Sequence, residues 1–117
     1  MLENIALIKE VIELMPTQEA QNLAKEELSK INLSHLGAYR VGQCSSLEIF
    51  YIMFIRAMMT KDTHILIDMP YTIIDNLENI DEVIDNIQRL EYKNKKIFIL
   101  DTVNHESRYG NLDNLDL

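Results

Sequence analysis

Leu2, Ile5, Ile8, Val11, Ile12 and Met15 recur at three- and four-residue spacing, with Glu3, Lys9, Glu10 and Glu13 between them. That period predicts an amphipathic helix whose apolar stripe faces a core. Pro16, which has no amide proton to continue the ladder, is expected to stop it. Thr17 is expected to cap a second helix with Ala20, Leu23, Ala24, Leu28 and Ile31 as its stripe. Two such helices in succession suggest an antiparallel hairpin. Residues 32–46 hold Gly37 and Gly42 among Asn, Ser and Gln without a sustained period, and read as a loop or a series of turns. At 45–48 the run Ser-Ser-Leu-Glu matches a capping box, in which the Ser45 hydroxyl accepts from the Glu48 amide and the Glu48 carboxylate reaches back to the Ser45 amide. The helix it opens is expected to end near Thr60, and its apolar interior carries Arg56 together with Met53, Met58 and Met59. The methionines read as core filler. Arg56 reads as an ion-pair partner for a carboxylate, or as a side chain reaching solvent along its stem.

After a Lys-Asp turn, residues 63–68 form a short apolar run, and its lack of alternation predicts a strand covered on both faces. Leu77, Ile80, Val83, Ile84, Ile87 and Leu90 predict a further amphipathic helix, capped by Asp75 or Asn76. The acidic residues Asp75, Glu78, Asp81, Glu82 and Asp85 are read as its solvated face. A polar turn at 92–96 precedes a second apolar strand at 97–100. Strand, helix, strand with a crossover of this length is a βαβ unit, so the two strands should be parallel and joined right-handedly. The chain thus divides into a helical part at 1–60, a βαβ part at 61–103 and a polar, acidic tail at 104–117. The last eight residues, GNLDNLDL, are expected to fray or to bind a partner.

Charge narrows the function. Nineteen acidic against 11 basic residues give a formal charge of -8 in a chain of 117 residues, which disfavours nucleic-acid partners. A single cysteine, Cys44, cannot form an internal disulfide and reads as an ordinary thiol in a reducing compartment. The opening MLENIALIKEV lacks a basic n-region and a small-residue cleavage site. The longest nearly apolar run, 49–59, is about half of the roughly 20 residues a membrane span needs. A cytoplasmic location without direct membrane insertion is therefore expected. His35, His64 and His105 are widely separated, with no ligand spacing, and a metal site built on them is not expected.

The order of elements, with the local residues, resembles the second half of an ABC-type ATP-binding domain. The likeness begins at LENIAL, similar to the opening of that family's helical subdomain, and runs to about Thr102. Setting Ile55-Arg56-Ala57-Met58 on the family's Ala-Arg-Ala-Leu places residues 44–48, Cys-Ser-Ser-Leu-Glu, on the signature Leu-Ser-Gly-Gly-Gln. Ser45 is kept, and Glu48 stands for the glutamine. The same frame sets Ile65-Leu66-Ile67-Asp68 on the Walker B strand and Pro70 on the proline that follows. Met69 falls where the family has its water-activating glutamate. Residues 71–75 fall on Thr-Ser-Ala-Leu-Asp, so Asp75 takes the place of an aspartate that works across the dimer. Asp101, or His105 if the loop is longer, lies at the position of the switch histidine.

The resemblance implies a partial P-loop NTPase core of α/β class, with two parallel strands, flanking helices and a preceding helical subdomain. It implies ATP and magnesium as family cofactors, with Ser45, Ser46, Glu48, Asp68 and Asp75 as nucleotide contacts and Asp68 as the magnesium ligand. It implies as partners a membrane-spanning transporter subunit and a second nucleotide-binding domain or a second copy of the chain, with attachment to the inner face of the cell membrane through them. No Gly-x-x-x-x-Gly-Lys-[Ser/Thr] occurs in the chain, so no phosphate loop is present and the chain alone is not expected to bind ATP. The simplest explanation is that the sequence is a fragment whose phosphate loop lies upstream. A thioether at 69 cannot accept a proton, and an aspartate at 101 would repel a γ-phosphate, so hydrolysis is expected to be lost. The alternative reading is a stand-alone α/β interaction or regulatory module that binds no nucleotide.

Overall fold

A computed structural model of the chain describes residues 1–92 and 94–109, apart from the side chain of Val103, and resolves into two compact units, Met1–Lys61 and Asp62–Leu117. The expected tail at 110–117 lies outside the described residues.

The first unit is helical. Helix α1 spans Leu2–Ile12, α2 spans Thr17–Lys30 and α3 spans Ser46–Met58, with short 3-10 turns at Ser34–Ala38 and Val41–Gln43. Helix α1 packs on α2, on α3 and on the first turn. Ala20 and Ala24, four residues apart and fully buried, present a surface of α2 small enough for close helix packing. Ile5, Ala6, Leu28, Leu36, Ile52 and Ile55 are buried without exposed surface.

Five expectations need correction here. Helix α1 stops at Ile12, before Pro16 is reached, because Leu14 takes a left-handed conformation and the Lys9 carbonyl accepts from the amides of both Glu13 and Met15. Its apolar stripe is only partly inward: Ile5 is buried, whereas Val11 and Ile12 are exposed along with Leu7 and Leu14. Thr17 is the first residue of α2 and makes no side-chain cap, the capping position being Pro16. The Arg56 partner is neutral, since its Nη1 donates to Asn4 Oδ1 at 3.1 Å. Met58 and Met59 fill the core, while Met53 is exposed.

The second unit is a small α/β arrangement. Strand β1 (His64–Asp68) pairs in parallel with β2 (Lys96–Leu100), in a register that runs from His64 opposite Lys96 to Asp68 opposite Leu100. The crossover holds a short helix α4 (Pro70–Ile73) and helix α5 (Asp81–Arg89). Val83, Ile84 and Ile87 of α5 are buried, as are Ile65 and Ile67 of β1. The opposite face, formed by His64, Leu66, Asp68, Lys96, Phe98 and Leu100, is exposed. The first strand is expected from its sequence to be covered on both sides. Instead the pair is one-sided, and an uninterrupted apolar run conceals an in-out alternation of burial.

Helix α5 also begins later than expected. Asn76 adopts a left-handed conformation, and the Ile80 amide donates to the Tyr71 hydroxyl at 3.1 Å, so the backbone is diverted before Asp81. Asp75 and Glu78 consequently lie ahead of the helix, and only Asp81, Glu82 and Asp85 form its exposed acidic side. Part of the predicted polar tail is ordered as a 3-10 turn at Val103–Arg108.

Candidate functional site

Functional residues expected from the sequence fall at two places, one in each unit. In the helical unit, Ser45 stands at the N-cap of α3 in extended backbone conformation. The Glu48 amide donates to Ser45 Oγ at 3.1 Å, and the Ser45 amide donates to Glu48 Oε1 at 2.8 Å. His35 Nε2 lies 3.8 Å from the second oxygen of the same carboxylate. A helix N-terminus attracts anions because its first amides are unpaired and the helix dipole is positive there. At α3 that attraction is already met by the chain's own carboxylate. A phosphate seated on the Ser45 amide would have to displace Glu48, so the cap and its negative charge compete with the phosphate contact that the resemblance assigns to Ser45. Replacing Ser45 by alanine is expected to lower stability by about 1 kcal/mol, a typical N-cap loss, as measured by chemical denaturation. An unchanged midpoint would remove the cap from the account.

In the second unit the carboxyl ends of β1 and β2 carry Asp68 and Asp101. Asp68 ends β1 on the exposed face. Met69 then turns left-handed at φ 51, a conformation that costs a side-chain-bearing residue about 1–2 kcal/mol. Its amide donates to the Leu100 carbonyl at 2.7 Å, extending the ladder by one bond, while its own carbonyl accepts from Thr72 and Ile73 to start α4 at Pro70. Pro70 fits because its missing amide proton falls at the first helical position. Position 69 thus performs a backbone task as the pivot from strand to helix. Asp75 is exposed in the loop after α4.

Asp101 lies just past β2 with its carboxylate 5% exposed. Oδ1 accepts from the Thr102 amide at 2.7 Å and lies 2.7 Å from His105 Nδ1, and Oδ2 accepts from the Tyr109 hydroxyl. The rings of His105 and Tyr109 pack against Tyr71 with centroids 5.6 Å and 5.5 Å away, and the Arg108 guanidinium sits 4.8 Å above the Tyr71 ring. Burial opposes ionisation of Asp101, yet the hydrogen bonds from Tyr109, His105 and Thr102 outweigh it and hold the carboxyl below its ordinary value. The Tyr109 phenol is pushed up from its ordinary value, by burial first and then by its bond to that carboxylate.

Asp101 and His105, the two residues set at the switch position, are in direct contact. The structure joins them: the carboxylate orients the imidazole through Nδ1, an arrangement that fixes a ring tautomer. Tyr71 and Tyr109 were missed as members of the site. The spacing Asp101, His105, Tyr109, at successive intervals of four, is the signal that could have revealed one of them. Among the described residues no group of three His, Cys, Asp or Glu side chains converges as a metal cage, and no helix is long and apolar enough to cross a membrane. No family model matches the chain, and no curated protein matches it significantly.

Proposed function

We propose that the chain is the helical subdomain together with the Walker B and switch strands of an ABC-type ATP-binding subunit, with its hydrolytic chemistry lost. The observation that carries this reading is the side-by-side parallel pairing of β1 and β2, with Asp68 ending one strand and Asp101 following the other. Ligands of open parallel sheets bind at the carboxyl ends of the strands, which is where both aspartates lie. The two positions at which the family keeps its hydrolytic groups do not serve as a base here: Met69 cannot accept a proton, and the Asp101 carboxylate is engaged by Thr102, His105 and Tyr109. The role left to such a subunit is coupling, in which nucleotide-dependent association with a second ATP-binding domain moves a membrane-spanning partner. The exposed row Leu7, Val11, Ile12 and Leu14 gives the helical unit an apolar surface for that partner.

The test uses the tagged chain in the cells it comes from. It is expected to sediment with membranes, to be released by an alkaline carbonate wash, and to cross-link from position 11 to a membrane-spanning protein. By itself it is expected to give no heat of binding with ATP and magnesium at sub-millimolar concentration. Recovery wholly in the soluble fraction without that cross-link would overturn the coupling role and favour the stand-alone interaction module. Tight magnesium-dependent ATP binding would overturn the loss of chemistry.

A further inference from the structure

The outward face of the β1–β2 pair has a composition unlike the rest of the chain. Leu66, Phe98 and Leu100 are 60%, 50% and 54% exposed and lie together on it. The His64 ring stacks on Phe98, with centroids 5.8 Å apart and planes inclined by 10°. The charges on this face are Lys96 at the start of β2 and Asp68 at the end of β1. Its formal charge is thus zero, in a chain that carries -8. Parallel sheets are almost always covered on both faces, and here the outer one is bare.

We propose that this face packs against the same face of a second copy of the chain, with the facing strands antiparallel. The two-fold axis lies in the plane of the face, perpendicular to the strands, at the level where Leu66 and Phe98 stand in register. Leu66 and Phe98 then meet their own counterparts, which is what an isologous contact requires of residues on its axis. Each Asp68 comes over His64 of the other copy and within reach of its Lys96, so both ends pair opposite or compatible charges. Running the facing strands parallel would set Lys96 over His64 and Leu100 over Asp68, and would make no charge pair. The two apolar layers would stand about 10 Å apart, the ordinary spacing of stacked sheets. Two strands of five residues make a small interface, so the pair is weak and concentration-dependent. This contact does not rest on the nucleotide-binding reading: it uses no cofactor and is tested without one.

Sedimentation velocity of the full chain over about a hundredfold range of concentration is the direct measurement, because mass action moves a weak pair across that range. A reversible monomer–dimer shift is expected. Phe98→Asp should abolish it, and circular dichroism should stay unchanged because the ring is half exposed. Asp68→Lys should weaken pairing roughly tenfold by setting like charges together, and adding Lys96→Asp should restore it. In a Cys44→Ser background, Phe98→Cys should be joined to its own copy by a short bismaleimide, and Leu100→Cys much less so. A monomer at every concentration would overturn the proposal and leave this face to a helix of another protein. A dimer indifferent to Phe98→Asp, or one in which Leu100→Cys cross-links as well as Phe98→Cys, would also overturn it.

Discussion

Ile55→Ala is expected to lower the unfolding free energy by about 2–5 kcal/mol, the range for removing a branched chain from a filled interior. Ile55 has no exposed surface and lies on α3, which packs against α1. The loss has two sources: the transfer of three carbon groups no longer taken out of water, and the cavity they leave. Small domains hold only about 5–15 kcal/mol in total, so the substitution removes a large share of the margin. Met53→Ala, on the same helix but 51% exposed, is the control and should fall within about 0.5 kcal/mol of the parent. Denaturant titration with a common slope checks both. A loss near that of the control would mean that α3 is not seated in a core.

Asp101→Asn is expected to change how stability depends on pH more than any exposed substitution would. The Asp101 carboxyl is held below its ordinary value of 3.8, so its contribution is whole above that value and is lost as pH falls through the depressed folded value. The Tyr109 phenol is raised above its ordinary value of 10.0, so the contribution of the neutral phenol is whole below that value and fades as pH rises through the raised one. These two groups therefore favour the folded state across the interval between those ordinary values. An asparagine at 101 carries no charge and cannot accept from Thr102, His105 and Tyr109 as a carboxylate does. Tyrosinate absorbance should show the Tyr109 titration moving back toward the ordinary range, and the thermal midpoint at neutral pH should drop. An unchanged alkaline titration would show that the carboxylate does not govern the phenol.

What the sequence made legible was local or strongly periodic. Ser45 and Glu48 announce their cap because both partners lie within one turn. The two strands and their parallel pairing follow from apolar runs separated by a helix. Most of the failures share a cause in distance along the chain. Whether Leu66 and Phe98 point inward depends on what covers each face of the sheet, which the short runs around them do not encode. The exposed side of α1 likewise depends on where α2 and α3 lie, and the spacing of Val11 and Ile12 is the same whether they face protein or water. The early stop of that helix turned on one backbone conformation at Leu14, a leucine with no turn propensity of its own. The cluster at Asp101 was half visible, since His105 and Tyr109 follow at intervals of four, but Tyr71 arrives from the far side of the crossover.

Tyr71 and Tyr109 also have an optical consequence. The chain has no tryptophan and five tyrosines, so its intrinsic ultraviolet emission is tyrosine emission. A phenol that hands its proton toward a carboxylate in the excited state is quenched, and the Tyr109 hydroxyl donates to Asp101. Tyr71 meets it edge-on, with the Arg108 guanidinium over its ring. Tyr109 is therefore expected to emit weakly in the folded protein, and any event that pulls its hydroxyl away from Asp101 should brighten it. The cluster thus doubles as an unlabelled reporter of what happens at that end of the sheet.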